Sequence, residues 1–327
     1  MAADVPPKRR YWLLTSPRTA SNLFIRILNL EEQGTRPATH GGYFFFPKVF
    51  SQVSVYSKPA EDWTPQDCLA VHTTAIKCFN TLQDHISESE CAGQKVFIKE
   101  HVFFMNNVYA EHDHLIGTPN KIPHEPVQPM RGLTHATQSP RNLTCFPDEF
   151  LQTWYPTFLI RHPAMVLSSL YRTAQQTKLS HRRTEPFEIE VSLKFVRSLH
   201  DFYVDYYRDR DSQWPLVLDA DDIMTSPDLV RKYASLVDLD ASKLQFTWEK
   251  ISEEAEGKLL PSQKVMLGTI NASTGIDKGK LAGAIDIDAE ALKWRDEFGD
   301  EGGRKLEQWV REAMPHYEYL YSRRLRL

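Results

Sequence analysis

Short apolar runs alternate along this chain with segments in which apolar residues return every three or four positions. The runs are expected to form strands, and they cover residues 11–15, 96–98, 157–160 and 215–218. The periodic segments predict helices at residues 21–28, 65–86, 164–172, 187–206 and 227–236. Strands alternating with helices predict right-handed crossovers and a mostly parallel sheet flanked by helices. The predicted fold class is therefore α/β.

One long segment, residues 106–150, follows neither pattern. It is rich in Asn, Pro, His and Thr, and it is too long for a plain connection, so we expect a lid or binding loop inserted into the fold. The whole chain has 327 residues, of which 41% are hydrophobic and 25% charged. That balance excludes global disorder and a coiled coil, and it allows one large domain or two modest ones.

Charge and cysteine content exclude further classes. The net charge of -4 gives no basic field for a polyanion, so nucleic acid is not an expected partner. The basic runs at residues 8–10 and 323–326 are expected to be solvated tails. No apolar stretch suits a membrane span or a signal peptide, so we expect a soluble, cytoplasmic protein without a membrane partner. The four cysteines lack Cys-x-x-Cys spacing and are expected to be reduced, mostly buried thiols.

Two strand-to-helix junctions carry groups that bind anions. Residues 15–22 follow the first strand and combine hydroxyls, backbone N–H groups and Arg18, whose planar guanidinium matches two oxygens at once. Arg161, with Ser168 and Ser169, follows the third strand. An ordinary capped turn is the alternative at each junction. Because parallel strands bind ligands at their carboxyl ends, the two junctions together predict two neighbouring anion sites.

The order of these motifs resembles the sulfotransferase family, whose donor is 3′-phosphoadenosine 5′-phosphosulfate (PAPS). Residues 15–23 are similar to the family's 5′-phosphosulfate loop, usually written Pro-Lys-Ser-Gly-Thr-Thr-Trp, with Arg18 at the lysine position. Arg161 and Ser169 match the arginine and serine that hold the 3′-phosphate. The resemblance implies a P-loop-like architecture and these donor-binding residues: Arg18, Thr19, Ala20, Ser21, Asn22, Arg161 and Ser169.

Two further segments extend the resemblance. Residues 99–101, Lys-Glu-His, are similar to a Lys-Thr-His segment whose histidine is the family's general base, here His101. Residues 273–280 are similar to an Arg-Lys-Gly loop that closes over the nucleotide, which implies donor contacts for Thr274 and Gly275. The resemblance covers residues 11 to 280, so it implies one catalytic domain over 1–327, with the insertion at 106–150. It also implies that this insertion carries acceptor specificity.

This chain departs from the family pattern at three positions. Ala20 replaces a glycine, so a positive φ at that position would cost on the order of 1 kcal/mol. Leu23 replaces the tryptophan that stacks on adenine, and Ala220 replaces a nearby tyrosine. Phosphate binding is therefore better supported than purine selectivity.

The chemistry of sulfonate transfer gives each candidate catalytic group a role. His101 can take the proton of an acceptor hydroxyl at neutral pH, and a structural hydrogen bonder is its alternative role. Arg18 can stabilise charge on the leaving phosphate but, with a pKa above about 12, it cannot donate a proton. Lys99 can share that work or orient the acceptor, and its alternative is a solvated strand end. The reaction requires no metal.

Two acidic clusters invite other interpretations. Residues 111–114, Glu-His-Asp-His, have the chemistry of metal ligands, but alternating residues in a loop are usually solvated, and we expect no metal there. Asp219, Asp221 and Asp222 are typical of a Mg²⁺-binding hydrolase. However, no Gly-x-x-x-x-Gly-Lys-Ser/Thr motif occurs near residue 18, so a structural cap before Pro227 is favoured.

The aromatic run at residues 40–47, together with Phe103 and Phe104, belongs either to the core or to an acceptor pocket. A pocket would make the acceptor apolar or aromatic. The sequence thus favours sulfonate transfer from PAPS to a hydroxyl of a small molecule. Two alternatives stay open: elimination chemistry on the same fold, and a non-catalytic nucleotide-binding protein. A P-loop kinase or hydrolase is disfavoured. The sequence does not determine the oligomeric state.

Overall fold

Four parallel strands form one sheet in the computed structural model, which describes residues 9–117, 122–176, 184–210, 212–259 and 261–327. The strand order is β2-β1-β3-β4, with β1 Arg10–Thr15, β2 Val96–His101, β3 Trp154–Ile160 and β4 Leu216–Asp219. Nearly every strand residue is buried, as expected for a parallel sheet covered on both faces. The predicted α/β class and all four predicted strands are confirmed.

Helices connect and cover the strands. In the described residues they are α1 Ser21–Leu28, α2 Phe46–Tyr56, α3 Pro65–Cys91, α4 Val102–Met105, α5 Val108–Ile116, α6 Asp148–Leu151, α7 Pro163–Gln176, α8 Thr184–Val191, α9 Leu193–Tyr207, α10 Ala220–Thr225, α11 Pro227–Leu236, α12 Glu253–Gly257, α13 Pro261–Ala272 and α14 Ile287–Tyr321. Short 3-10 turns lie at Leu30–Gln33, Thr39–Gly42, Ala60–Asp62, Ala241–Lys243 and Lys278–Lys280. None of the described helices has both the length and the apolar character to cross a bilayer.

The predicted helix at 187–206 is two helices. Ser192 separates α8 from α9, and its hydroxyl accepts a hydrogen bond from the Lys194 N–H at 3.3 Å, which begins a new helix. Apolar periodicity continues through the break, so the pattern alone does not reveal the cap.

The register of the sheet aligns the carboxyl ends of the strands. Thr15, the last residue of β1, lies opposite His101 on β2 and Leu159 on β3, while Ile160 lies opposite Asp219 on β4. We call this side of the sheet, with the residues that directly follow each strand, the carboxyl edge. Every predicted catalytic residue lies at it.

Part of each basic run near the chain ends packs against the fold. Arg10 begins β1, and its Nε donates to Glu90 Oε1 at 2.7 Å. Arg324 donates to Asp222 Oδ2 at 2.6 Å, and the Leu325 N–H donates to the carbonyl of Val217 on β4 at 2.8 Å. The prediction of solvated basic tails is therefore wrong for these residues, whereas Lys8 lies outside the described residues.

The insertion has more structure than its composition suggests. It contains α5 and α6, and Asn142 fixes its chain by donating to the Phe146 carbonyl and to Asp148 Oδ1, both at 2.8 Å. Its middle part runs along α3, where the Arg131 N–H donates to Gln83 Oε1 at 2.8 Å. Residues 118–121 lie outside the described part. The insertion is thus a packed element of the fold over its described length.

Candidate active site

The loop between β1 and α1 has the backbone geometry of an anion cradle. Arg18 and Ala20 both have left-handed backbones, with φ of 63° and 61°. Ala20 stands at the N-cap of α1 without a side-chain cap, so the first N–H groups of α1 have no capping side chain. Thr19 closes the turn by donating to the Ser16 carbonyl at 2.7 Å. Ala20 therefore bears the strain expected for an alanine at a glycine position.

The two predicted anion-binding junctions meet in space. Arg18 Nε donates to Ser169 Oγ at 2.9 Å, and Arg161 Nη1 donates to the Arg18 carbonyl at 3.2 Å. Each guanidinium also reaches a backbone carbonyl of a later segment: Arg18 Nη1 donates to Met266 at 2.9 Å, and Arg161 Nη2 donates to Lys280. The structure thus brings residues of β1, β3 and their helices into one cluster.

This cluster is electropositive. Burial lowers the pKa of Arg18, and the nearby Arg161 charge lowers it further. Burial also lowers the pKa of Arg161, against the opposing effect of Asp221 and Asp219. In the described part of the structure, Arg161 Nε is buried without a hydrogen-bond partner. An unpartnered donor on one of two neighbouring guanidinium groups fits an anionic ligand.

His101 ends β2 beside this cluster. Its Nδ1 lies 2.6 Å from Thr15 Oγ1, and the residue is only 8% exposed. Burial, with a smaller effect from Lys99, lowers the pKa of His101 well below its ordinary value of 6.5. The imidazole is therefore neutral at pH 7, which is the state a general base needs.

Lys99 joins the histidine strand to the anion cradle. Its Nζ donates to Asn22 Oδ1 on α1 at 2.6 Å and lies 4.1 Å from the centre of the Tyr43 ring. The residue is 3% exposed, so the solvated strand end is wrong. Burial lowers the pKa of Lys99 to about 8, and Glu100 opposes that effect. The ammonium is thus held at the cradle.

Glu100 is a further residue of the site, and its sequence context indicated no role for it. It is 1% exposed, and its carboxylate accepts from the Phe45 N–H and the His101 N–H, each at 3.0 Å. Burial raises its pKa to about 8. Through Phe45, this carboxyl fastens the aromatic segment after α1 against β2, beside the candidate base.

Most of the aromatic residues near the candidate base pack in or against the core. Phe45 is fully buried in the core, whereas the Tyr43 ring lies 4.6 Å from the His101 ring and the Phe104 ring lies 5.2 Å from it. Contacts continue outward from Phe104 to Phe46 at 5.9 Å, and Phe46 is 37% exposed. The side chain of His40 lies outside the described part. These rings therefore form one packed aromatic group beside His101, and Phe46 is its partly exposed outer member.

The predicted nucleotide loop is only partly brought to the cluster. The carbonyl of Lys280 reaches Arg161, but the Thr274 carbonyl accepts instead from the Trp248 N–H at 3.0 Å, and Gly275 pairs with Thr247. Helix α13 was not predicted to contribute, yet its Met266 carbonyl accepts from Arg18. A backbone carbonyl leaves no mark in the residue type, so no sequence signal could have found it.

Residues 111–114 belong to α5 and are not a solvated loop. Glu111 is fully buried and accepts from Tyr56 Oη at 2.5 Å and Gln52 Nε2 at 3.0 Å, with Lys48 Nζ at 4.0 Å. His112 is 2% exposed. The prediction of solvation is wrong because a helix turns these two side chains inward. Among the described residues, no three His, Cys, Asp or Glu side chains are grouped to hold a metal.

The acidic residues after β4 serve as caps and braces. Asp219 Oδ1 accepts from the Asp221 N–H at 2.9 Å and caps α10, while Asp221 accepts from the Ala282 N–H at 2.8 Å. Ser226 caps α11 through the Leu229 N–H at 3.3 Å. The structure therefore agrees with the predicted capping role of these acidic residues. The helix that Asp219 caps is α10, however, and the helix that begins at Pro227 is capped by Ser226.

Comparison with known proteins decides the family. The chain is 38% identical over 339 residues to a protein named "Sulfotransferase ppzF" from Metarhizium rileyi (strain RCEF 4871), covering 100% of this chain and 99% of that protein. A protein of the same name from Metarhizium majus (strain ARSEF 297) is 37% identical over 340 residues, with the same coverage. This chain belongs to the sulfotransferase family. The predicted family is thereby confirmed.

Solved structures with a similar arrangement are also sulfotransferase domains. One comes from the Synechococcus PCC 7002 olefin synthase, with 14% identity, a TM-score of 0.38, and coverage of 90% of this chain and 97% of that one. Another comes from the curacin biosynthetic pathway, with 11% identity, a TM-score of 0.34, and coverage of 89% and 97%. No family model matches this sulfotransferase.

Proposed function

We propose that this sulfotransferase moves the sulfonate group of PAPS to a hydroxyl oxygen of a small apolar or aromatic molecule. The observation that carries the proposal is the pair of half-buried guanidinium groups at the carboxyl edge. Arg18 and Arg161 are linked through the Arg18 carbonyl, and the neutral His101 ends the strand on the other side of β1.

The donor half of the proposal rests on the fit of an anion to the arginine cluster. Two cations lie close together, an Nε–H is buried without a partner in the described part, and the first turn of α1 lacks a side-chain cap. The groups that would hold the phosphates are Arg18, Ser169, Arg161 and the N–H groups of residues 19–22. In the structure, one guanidinium N–H of Arg18 donates to the Met266 carbonyl of α13, and one of Arg161 donates to the Lys280 carbonyl.

The chemical step assigns one task to each group. The acceptor hydroxyl gives its proton to His101 Nε2 as its oxygen bonds to sulfur. The bond between sulfur and the bridging oxygen breaks, and its electron pair leaves with the phosphate. Arg18 and Lys99 offset the growing negative charge, and Arg18 does so without giving up a proton. The charge on Lys99 is held near the first turn of α1 by Asn22.

The acceptor half rests on the aromatic rings packed around His101. Rings of Tyr43, Phe103 and Phe104 lie 4.6, 6.1 and 5.2 Å from the imidazole, so a hydroxyl that reaches Nε2 comes from an apolar surrounding. Such surroundings favour flat or hydrocarbon groups and offer a sugar few polar partners.

A direct transfer assay tests the proposal. Incubation with PAPS carrying labelled sulfur and a library of hydroxyl compounds should give a product that has gained the mass of one sulfonate. His101→Ala should lower turnover by roughly 10² to 10⁴ and leave nucleotide affinity unchanged, since a base acts only in the chemical step. The control is His316→Ala, which replaces a partly exposed histidine of α14, outside the insertion.

The outcomes of this assay are distinct. An acceptor with an already ionised oxygen should partly restore turnover to His101→Ala. Donor binding without any product, across the library, would contradict the transfer reaction and favour a nucleotide-binding protein. Normal turnover of a neutral alcohol by His101→Ala would show that the base is another group.

A further inference from the structure

A buried hydroxyl connects the candidate base to the backbone of its own strand. Thr15 Oγ1 lies 2.6 Å from His101 Nδ1 and 3.2 Å from the carbonyl oxygen of Glu100. Thr15 is 1% exposed and sits directly opposite His101 in the β1–β2 register. The hydroxyl is therefore fixed in place by the sheet itself and is shielded from water.

The direction of the protons in this chain follows from what each group can do. A carbonyl oxygen can only accept, whereas a hydroxyl has one proton to donate and lone pairs with which to accept. If the Thr15 hydroxyl donates to Glu100, its oxygen is left to accept from His101 Nδ1–H, and all three groups are paired. If the Thr15 hydroxyl instead donated to His101 Nδ1, the lone pairs of the hydroxyl oxygen and of the Glu100 carbonyl would face each other 3.2 Å apart.

This choice decides which ring nitrogen is free. In the neutral imidazole one nitrogen carries the proton and the other accepts. A proton on Nδ1 leaves Nε2 as the basic atom. No hydrogen bond from Nε2 to a described residue competes for that role.

We propose that Thr15 is a positioning residue that holds His101 in the tautomer with its proton on Nδ1. The inference rests on the proposed function, because only a histidine that works as a base needs a free Nε2. Thr15 does so without touching either substrate. Its oxygen fixes both the proton and the plane of the ring, while the Glu100 carbonyl fixes the hydroxyl.

The tautomer can be observed directly. Long-range proton–nitrogen NMR correlations of ¹⁵N-labelled protein distinguish a protonated ring nitrogen from an unprotonated one. The signals of His101, among the 12 histidines, are identified by their loss in His101→Ala. Wild-type protein should show the proton on Nδ1 at pH 7. Thr15→Val, which keeps the branched shape but lacks the hydroxyl, should shift His101 towards the Nε2–H form, and Thr15→Ser should keep the wild-type pattern.

Kinetics with the same variants supply the second readout. Thr15→Val should lower kcat with a neutral alcohol about ten- to a hundredfold, the loss expected when a buried donor loses its acceptor, without changing donor affinity. Thr15→Ser should recover most of the rate. An acceptor with an ionised oxygen should be turned over nearly equally by wild type and Thr15→Val, because no base is then needed.

The results separate failure of the inference from failure of the proposed function. A wild-type proton on Nε2, or a Thr15→Val spectrum and kcat identical to wild type, would overturn the positioning role. If Thr15→Val does not fold, the wild-type spectrum and Thr15→Ser still decide the matter. Absence of sulfonate transfer would refute the proposed function alone, since the tautomer is measured without any substrate.

Discussion

Removal of the Arg161 guanidinium should weaken donor binding more than any other change in the arginine cluster. Its Nη1 donates to the Arg18 carbonyl, its Nη2 donates to the Lys280 carbonyl, and its Nε is buried without a partner in the described part. An anion entering the cluster can take the idle Nε–H and replace a carbonyl. Arg161→Ala removes all of these donors together.

The size of the effect follows from the kind of hydrogen bond lost. A hydrogen bond to a charged group contributes roughly 1.5 to 3 kcal/mol, so Arg161→Ala should cost about tenfold to a hundredfold in donor affinity. Arg161→Lys keeps the charge but loses the planar fork, and it should give an intermediate loss. Ser169→Ala removes a neutral partner of Arg18 and should cost about two- to tenfold.

Isothermal titration with 3′-phosphoadenosine 5′-phosphate measures these affinities without requiring an acceptor. The matched control is Arg208→Ala, because Arg208 follows α9 ahead of β4, at the opposite edge of the sheet, and is 65% exposed in its ion pair with Asp205. Its affinity should equal that of the wild type. If Arg161→Ala binds the nucleotide as tightly as wild type, the assignment of the 3′-phosphate site to β3 is refuted.

Three more predictions concern the acid and alkaline limits of activity and the backbone strain at Ala20. Burial lowers the pKa of His101 below 6.5, so the base stays unprotonated as the pH falls from 7 to 6.5. The value of kcat should therefore stay constant over that range and decline only at lower pH. A half-maximal rate above pH 6.5 would contradict this expectation. Since the pKa of Lys99 is about 8, kcat should also decline above that pH as the ammonium loses its proton. Lys99→Met should lack this alkaline decline, whereas Glu100→Gln, at the neighbouring carboxyl whose pKa is also about 8, should keep it. Ala20→Gly should raise the free energy of unfolding by up to about 1 kcal/mol, because φ at this residue is 61°. The control is Ala289→Gly on the exposed face of α14, which should lower the free energy of unfolding by about 1 kcal/mol in the same denaturant titration. A loss of stability in Ala20→Gly would show that the left-handed backbone carries no strain.

The sheet and the first site residues could be predicted because they depend on local pattern. The apolar run at β1, the turn after it and the periodic residues of α1 are adjacent in sequence, and parallel strands place their carboxyl ends at a common edge. Arg18, Lys99 and Arg161 each follow or end a predicted strand, so their convergence was predictable. An alanine at position 20 also predicts strain if its φ is positive, and the structure shows a positive φ there.

Other features depend on contacts between distant segments and leave little trace in the sequence. The Met266 carbonyl reaches Arg18 across 248 positions, and Glu100 fixes Phe45 across 55. Thr15 looks like any strand-ending threonine until the register sets it opposite His101. Glu111 illustrates the opposite error, because its charge suggested solvent while helix α5 turns it towards Tyr56 and Gln52.

The strand order explains why the donor cluster and the base lie on opposite sides of one loop. From β1 the chain moves to β2 on one side and then returns to place β3 on the other, so the direction of winding reverses between β1 and β3. A crevice opens at such a reversal, and Arg18 and Arg161 meet there. His101 lies across β1 on the β2 side, where Thr15 contacts it. Under the proposed function, a hydroxyl at His101 and a sulfonate at Arg18 would approach each other across residues 16–20, because one loop separates the two residues. The left-handed backbones of Arg18 and Ala20 lie in that loop.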